Sequence, residues 1–446
     1  MMRIEDYLRL VTSQIRCKKA CPCVEKELEN HIMDQMDAYV KAGMDKEKAL
    51  DKAILEMGDP VEVGVELDRI HRPQIAWGMV LAVGILGILS VLLQYRLRAV
   101  GNELVMPEKQ LVFTTVGFLL MLGIYYLDYS ILGKYGKQIG AAFLGCMIGT
   151  IPFRLTVNNA STFIYLFGFS ISVPLAMYLY VPVFGGILYS YRKKGYEALW
   201  KIAMWALIPI LLVLQLPSMI HACFLTLIFM IMFTVAVLAN WYVVSGKKVL
   251  SGLWSLGVFI PVICLSGGNL LMPYQQKRMT AFLDGTSAMS YIGKNISEIF
   301  ANSSLLGGSK AGLVLLNNQL PGIQSEYVFV SLVACFGIMA GVLVAGLYLG
   351  LVWKTFRISK AQHNQLGVMV GCGCSLVLTV QIVYNFLQCL QIVPSSSIAL
   401  PFLANSGSGI LVSYLLMGMI LSIYRYKNIP LNAEPKKVPK IRITIE

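Results

Sequence analysis

The sequence predicts an all-α polytopic membrane protein, with about ten transmembrane helices behind a small helical domain at the N-terminus. Three observations carry this expectation. Of 446 residues, 57% are hydrophobic and only 14% charged, a balance that would leave a soluble chain with large exposed apolar patches. Charge is also segregated: residues 1–73 hold 15 of the 24 acids and 12 of the 37 bases, so the net charge of +13 comes from the remainder. Finally, every second connection between apolar runs is basic, whereas the opposite-side loops near 157–162 and 216–218 carry no Lys or Arg, as a fixed membrane topology favours. The basic excess suits an anionic membrane face or an anionic substrate and does not call for nucleic acid.

The first 73 residues read as a short bundle. In "CVEKELENHIMDQMDAYVKAG", Val24, Leu28, Ile32, Met36 and Tyr39/Val40 recur at spacings of three to four, and Gly43 closes the helix. In "MDKEKALDKAILEMGDP", Asp45 is placed to cap, Leu50, Ile54 and Met57 form the stripe, and Gly58 suits the left-handed position past the end. Asp59-Pro60 opens another helix running to His71. This segment resembles the short helical prefix domain fused ahead of various bacterial permeases, which implies a partner-binding or regulatory role. His31 and the acids read as a solvated face. Cys17, Cys21 and Cys23 cluster here, but no nearby histidine pair completes the spacing of a zinc module, and no metal site is assigned. The start "MMRIEDYLRL" lacks the apolar core of a signal peptide, so entry into the membrane is expected through internal helices.

Apolar runs long enough to cross about 30 Å of hydrocarbon lie near 74–95, 110–131, 138–156, 168–190, 199–215, 219–242, 250–272, 328–353, 366–389 and 407–424. Six cysteines lie within such runs and Cys389 ends one, where cysteine behaves as a small hydrophobe and not as half of a disulfide framework. With the prefix domain in the cytoplasm, every second connection should be cytoplasmic. Those connections are "GKYGK", "YRKKGYEA", "SGKKVL" and "KTFRISKAQHNQ", all basic, and the chain ends in a basic tail, whereas 157–162 and 216–218 carry no Lys or Arg. The expected organisation is therefore a cytoplasmic prefix domain (1–73), a ten-span domain (74–425) and a basic cytoplasmic tail (426–446). Residues 273–326 then form the one long polar loop, on the outer face. Its apolar content favours a folded active-site loop over a tether. No pair of broken helices in an internal repeat points to an inverted-repeat transporter.

Several ordered motifs in 273–425 resemble the SEDS family (shape, elongation, division and sporulation), the FtsW/RodA/SpoVE proteins. "YQQKRMTAFLDG" is similar to the opening of that family's large loop, "GGSKAG" to its glycine-rich middle, and "LPGIQSEYVF" to its Leu-Pro…Thr-Asp-Phe-Ile-Phe segment. "YNFLQCLQIVPSSSIALPFLANSGS" resembles its asparagine–proline segment and Leu-Pro-Phe-Ile-Ser-Tyr-Gly-Gly-Ser run. The resemblance implies a peptidoglycan glycosyltransferase that polymerises lipid II outside the bacterial cytoplasmic membrane, beside a class B penicillin-binding transpeptidase, in division, elongation or sporulation. It places Glu326 at the family's catalytic aspartate. Chemically, joining two sugars needs a base for the acceptor hydroxyl, and a carboxylate at the rim of an apolar groove is partly desolvated. Lys277 and Arg278 stand on the same loop to grip the pyrophosphate leaving group, and Asn385 and Ser408 are candidate walls of the substrate groove. No cofactor is demanded by these motifs, and a divalent cation on the pyrophosphate stays open. A lipid-linked precursor flippase and a catalytically silent scaffold are the alternative readings.

The chain also departs from the pattern. The catalytic position is Glu and not Asp. Of the Gln-Pro-Ser-Glu…Lys motif only Pro174 survives, with Val173, Leu175 and Ala176 around it. Phe163 replaces a tryptophan, and Ala334-Cys335 replaces an acidic pair.

Overall fold

The computed structural model describes residues 3–101, 105–157, 160–166, 169–216, 219–266, 288–319, 322–394 and 396–428. The chain divides into two compact units. One comprises Met1–Ile75, Gln362–Asn364 and Tyr424–Glu446, the other Ala76–Ala361 and Gln365–Ile423.

The first unit holds α1 (Ile4–Gln14), α2 (Cys21–Lys41), α3 (Lys46–Glu56) and α4 (Pro60–His71). Tyr7, Val11, Ile32, Met36, Ala49, Ala53 and Ile54 form its core. Gly43 (φ +92°) and Gly58 (φ +83°) end α2 and α3 in the conformation expected of them. Asp59 accepts a hydrogen bond from Glu62 N at 3.4 Å and caps α4. Asp45, by contrast, makes no capping bond to α3. The Asn428 side chain donates to Ile70 O (3.0 Å), and its carbonyl meets His71 Nδ1 at 2.8 Å, holding the chain against the end of α4. Burial raises the Cys21 and Cys23 thiols above their ordinary range.

In the second unit the helices are α5 (Trp77–Ala99), α6 (Pro107–Tyr126), α7 (Ser130–Gly149), α8 (Val173–Ser190, with a 3-10 turn at Met177–Leu179), α9 (Tyr196–Leu214), α10 (Met219–Leu238), α11 (Gly246–Ser266), α12 (Ala288–Ala301), α13 (Lys310–Gln319), α14 (Val328–Phe336), α15 (Ile338–Lys360), α16 (Gln365–Cys389) and α17 (Ser408–Arg425). Among the described residues eight of these are long and apolar enough to cross a membrane: α5, α6, α8, α9, α10, α15, α16 and α17. Helices α7 and α11 occupy the third and seventh apolar runs. The protein is an all-α, multi-pass membrane protein.

Two departures from the expected spans matter for function. The third run does not continue as helix to 156. After α7 the chain forms an antiparallel sheet of β1 (Arg154–Val157), β2 (Ala160–Leu166) and β3 (Phe169–Ser172), in the order β1-β2-β3. Its residues explain this: Thr162, Phe163, Ile164 and Tyr165 are β-branched or aromatic and suit a pleated surface. The eighth run is not one span either. It breaks at Gly337 (φ +92°, ψ 168°) into α14 and α15. The segment Ser304–Gly307 docks at the break: Gly307 N donates to Phe336 O (3.1 Å), Ile338 N to Ser304 O (3.0 Å) and Met339 N to Leu305 O (3.1 Å).

Helix α14 folds back along α15. A Cβ on Gly341 would lie 2.6 Å from Val333 Cγ2 and 3.5 Å from Phe329 Cζ, whereas Phe329 and Gly341 would be about 18 Å apart along one straight helix. Over its nine residues α14 therefore carries the chain about 13 Å between the turn before Val328 and the break. Val328, Val330, Ser331, Leu332, Val333, Ala334 and Cys335 are all buried along it. It is a re-entrant helix inside the bundle.

Candidate functional site

Glu326 lies at the end of α14 remote from Gly337, in a tight turn. Ser325 N and Tyr327 N both donate to Gly322 O (3.1 and 3.0 Å), and Gly322 adopts φ +71°, which glycine takes without strain. Ser331, one turn into α14, donates to Ile323 O at 2.7 Å and ties the turn to the helix.

Helix α16 fixes this turn from the other side. Asn385 and Gln388 stand three residues apart, on one helical face, and both are fully buried. Asn385 Nδ2 donates to Glu326 O (2.9 Å) and to Ile398 O (2.8 Å). Gln388 Nε2 also donates to Glu326 O (3.2 Å), while its Oε1 accepts from Ser396 N (2.8 Å). The carbonyl of Glu326 thus receives two amide donors, and the same two side chains hold the segment after α16. Further along, Asn405 N donates to Gln324 O (2.8 Å) and Tyr348 OH to Pro401 O. Buried amides find carbonyl partners because an unpaired polar group there is costly.

The Glu326 side chain is half-buried and curls over its own turn. A Cβ on Gly322 would sit 3.4 Å from Glu326 Oε2 and 3.5 Å from its Cβ. A half-buried carboxylate so placed can serve as a base; one turn further on, the Phe329 ring packs edge to face on Phe386 of α16 with centroids 4.8 Å apart.

The structure thus brings Glu326 and Asn385 together, through the backbone of the first. Ser408 begins α17, where its Oγ accepts from Ser172 N at 3.1 Å and joins β3 to the segment that carries Asn405. Lys277 and Arg278 lie outside the described residues. Gln388, Gln324 and Asn405 are the contributors that sequence reasoning missed. The one sequence signal for Gln388 was its spacing of three from Asn385.

The departures from the family pattern also acquire a structure. Val173, Pro174 and Ala176 are buried at the start of α8. One turn on, Tyr178 OH meets His221 Nδ1 of α10 at 2.8 Å, both residues buried. A neutral pair thus stands in this region. Ala334 and Cys335 are buried in α14 and bring no charge. No group of three or more His, Cys, Asp or Glu among the described residues is arranged to hold a metal ion.

Comparison with known proteins places these features in context. Residues 71–429 match the FTSW_RODA_SPOVE family, described as cell cycle protein. A probable peptidoglycan glycosyltransferase FtsW of Lactococcus lactis is 22% identical over 80% of this chain and 91% of its own length. Stage V sporulation protein E of Bacillus subtilis is 24% identical over 78% of this chain and 94% of its own. A solved peptidoglycan synthase complex contains a chain that superposes with a TM-score of 0.63 at 20% identity, covering 79% of this chain and 98% of that one.

Proposed function

The chain belongs to the FtsW/RodA/SpoVE family of cell cycle proteins, and on that premise we propose that it is a peptidoglycan glycosyltransferase that polymerises lipid II at the outer face of the bacterial cytoplasmic membrane. The observation that carries this reading is the clamp on Glu326: two buried amides hold its backbone at the end of a re-entrant helix whose residues are mostly buried and apolar. In the proposed step the Glu326 carboxylate takes the proton of the acceptor sugar hydroxyl. That oxygen bonds to the anomeric carbon of the donor, whose bond to the pyrophosphate oxygen breaks, and undecaprenyl pyrophosphate leaves. Lys277 and Arg278 are assigned to the leaving pyrophosphate, and Asn385 and Ser408 to the groove, the first by fixing the base.

The membrane orientation belongs to the same proposal. Residues 3–75, 362–364 and 424–428 cluster as one unit, which supports the prefix domain, the basic connection after α15 and the end of α17 lying on one side, proposed as the cytoplasm; both termini are assigned to that side and Glu326 to the outer face. A class B penicillin-binding transpeptidase is the expected partner, and residues 1–73 are assigned a regulatory role.

The test is direct. Purified protein supplied with lipid II should make glycan strands, and Glu326→Gln should reduce the rate at least about 100-fold, the scale of a lost general base. Full activity in that variant would remove the proposed base. Glu326-independent movement of lipid II across vesicles, with no glycan formed, would instead establish a flippase. The neutral Tyr178–His221 pair beside Pro174, in a region where the family carries Glu and Lys, favours a second reading as a silent scaffold. Rescue of a polymerase-depleted strain by both wild type and Glu326→Ala would establish it.

A further inference from the structure

Arg154 opens β1, immediately after the turn that ends α7. Its Nε and Nη2 are shut off from solvent and have no hydrogen-bond partner among the described residues. Burial lowers its affinity for its proton. Five other basic side chains of this unit, Arg96, Arg98, Lys109, Lys294 and Lys310, are exposed, and Arg98 is already paired with Glu108. The hairpin from 154 to 172 contains no acid that could neutralise the guanidinium. A shielded, unpaired cation is expensive to keep.

The two orphaned nitrogens are informative as a pair. Nε–H and Nη2–H lie on one edge of the planar guanidinium and point the same way. They form the fork that binds two oxygens of a carboxylate or phosphate in parallel. The position is also informative. Arg154 pairs with Ile164, and Ile164 with Ile171, so the three residues form one row across the sheet. Strands are spaced by about 4.8 Å, which puts the Arg154 backbone about 10 Å from Ile171. The next residue, Ser172, bonds Ser408, and the segment before Ser408 bonds the turn that carries Glu326.

We propose that the Nε/Nη2 edge of Arg154 binds the phosphate of a lipid headgroup, as a cationic subsite on the sheet that is linked through Ser172 and Ser408 to the segment bonded to the Glu326 turn. This rests on the glycosyltransferase reading for its meaning, but not for its test. Two lipids share the required chemistry: the pyrophosphate-bearing donor and an anionic phospholipid.

The experiment measures binding of undecaprenyl pyrophosphate to the full chain in nanodiscs, made either of phosphatidylcholine alone or with phosphatidylglycerol added. Arg154→Gln should weaken binding at least tenfold. Arg154→Lys, which keeps the charge but loses the fork, should weaken it by an intermediate factor. Neither Arg154 variant should lower the melting temperature, because each removes or relaxes a buried unpaired group. If phosphatidylglycerol abolishes the difference between wild type and Arg154→Gln by occupying the site, the source is the phospholipid. If the difference persists, the source is the pyrophosphate lipid. Binding unchanged in both Arg154 variants in both membranes would overturn the proposal. Arg154-dependent binding by a protein that makes no glycan would overturn the enzymatic reading alone.

Discussion

Gly337→Ala is a demanding test of the re-entrant geometry, since the whole placement of Glu326 follows from the break at that residue. At φ +92° and ψ 168° the backbone occupies a region open essentially to glycine, and a side chain there costs about 1–3 kcal/mol. The added methyl would also stand 2.8 Å from Leu305 O, 3.0 Å from Gly307 N and 3.0 Å from Leu306 Cα. All three are backbone atoms, so no rotamer change relieves the contact. The segment must shift, and losing one of its hydrogen bonds to the break adds about 1 kcal/mol. The expected destabilisation is about 2–4 kcal/mol. Gly346→Ala supplies the internal control: it lies in α15 with nothing within 4 Å of the new methyl, and should gain up to about 1 kcal/mol from better helix propensity. Unfolding of the purified protein in mixed micelles, followed by tryptophan fluorescence, measures both. The reasoning fails if Gly337→Ala unfolds at the wild-type midpoint, or if both substitutions shift it in the same direction and by the same amount.

Other expectations concern the clamp, the carboxylate and the prefix domain. Asn385→Leu leaves the Ile398 carbonyl without its donor and half-releases that of Glu326, so glycan synthesis should fall about 10–100-fold as the base loses its position; an unchanged rate would show that the clamp is idle. Because the Glu326 side chain curls back over Gly322, Glu326→Asp should keep synthesis within about tenfold of wild type, and complete loss would mean that the longer reach is required. Asp59→Ala should cost about 0.5 kcal/mol, the low end for a capping residue, because its bond to Glu62 N is long at 3.4 Å. Faster hydrogen exchange in the first turn of α4, measured on the full chain, reads this out, and unchanged exchange would refute it.

Which features could be read from the sequence follows from what each depends on. Helices α2 to α4 were legible because apolar residues recur there against a polar background, and because Gly43 and Gly58 mark ends that only local backbone geometry decides. Asp45 had the same local signature as Asp59, yet only Asp59 bonds its helix. The break in the eighth run was not legible. Gly337 is one of four glycines between 337 and 350, all within apolar surroundings, and what selects it is a contact with Leu305–Gly307, some thirty residues earlier. The sheet after α7 was hidden because its apolar residues were counted toward neighbouring spans. Within the site, Glu326 stood out as an acid at the mouth of an apolar run and Asn385 as a polar residue within one. Asn405 did not, since its partner is a backbone carbonyl 81 residues away, and main-chain acceptors leave no mark on a sequence.

The clamp has a further consequence for how such a base could work. A cation bonded directly to a carboxylate stabilises its ionised form and makes it a poorer base. A base must nevertheless be held to within a fraction of an ångström. Asn385 and Gln388 meet the second need without the first cost: they are neutral, and they grip the carbonyl of Glu326 rather than its carboxylate. The apolar length of α14 then supplies rigidity and low polarity without adding charge, which accounts for Ala334 and Cys335 being tolerated there. Positive charge is still needed where the pyrophosphate departs, and on the reading proposed part of it comes from an element that does not hold the base, the sheet that begins at Arg154. Base and leaving-group sites on separate elements can be tuned independently, and replacing Asp by Glu then alters one of them without disturbing the other.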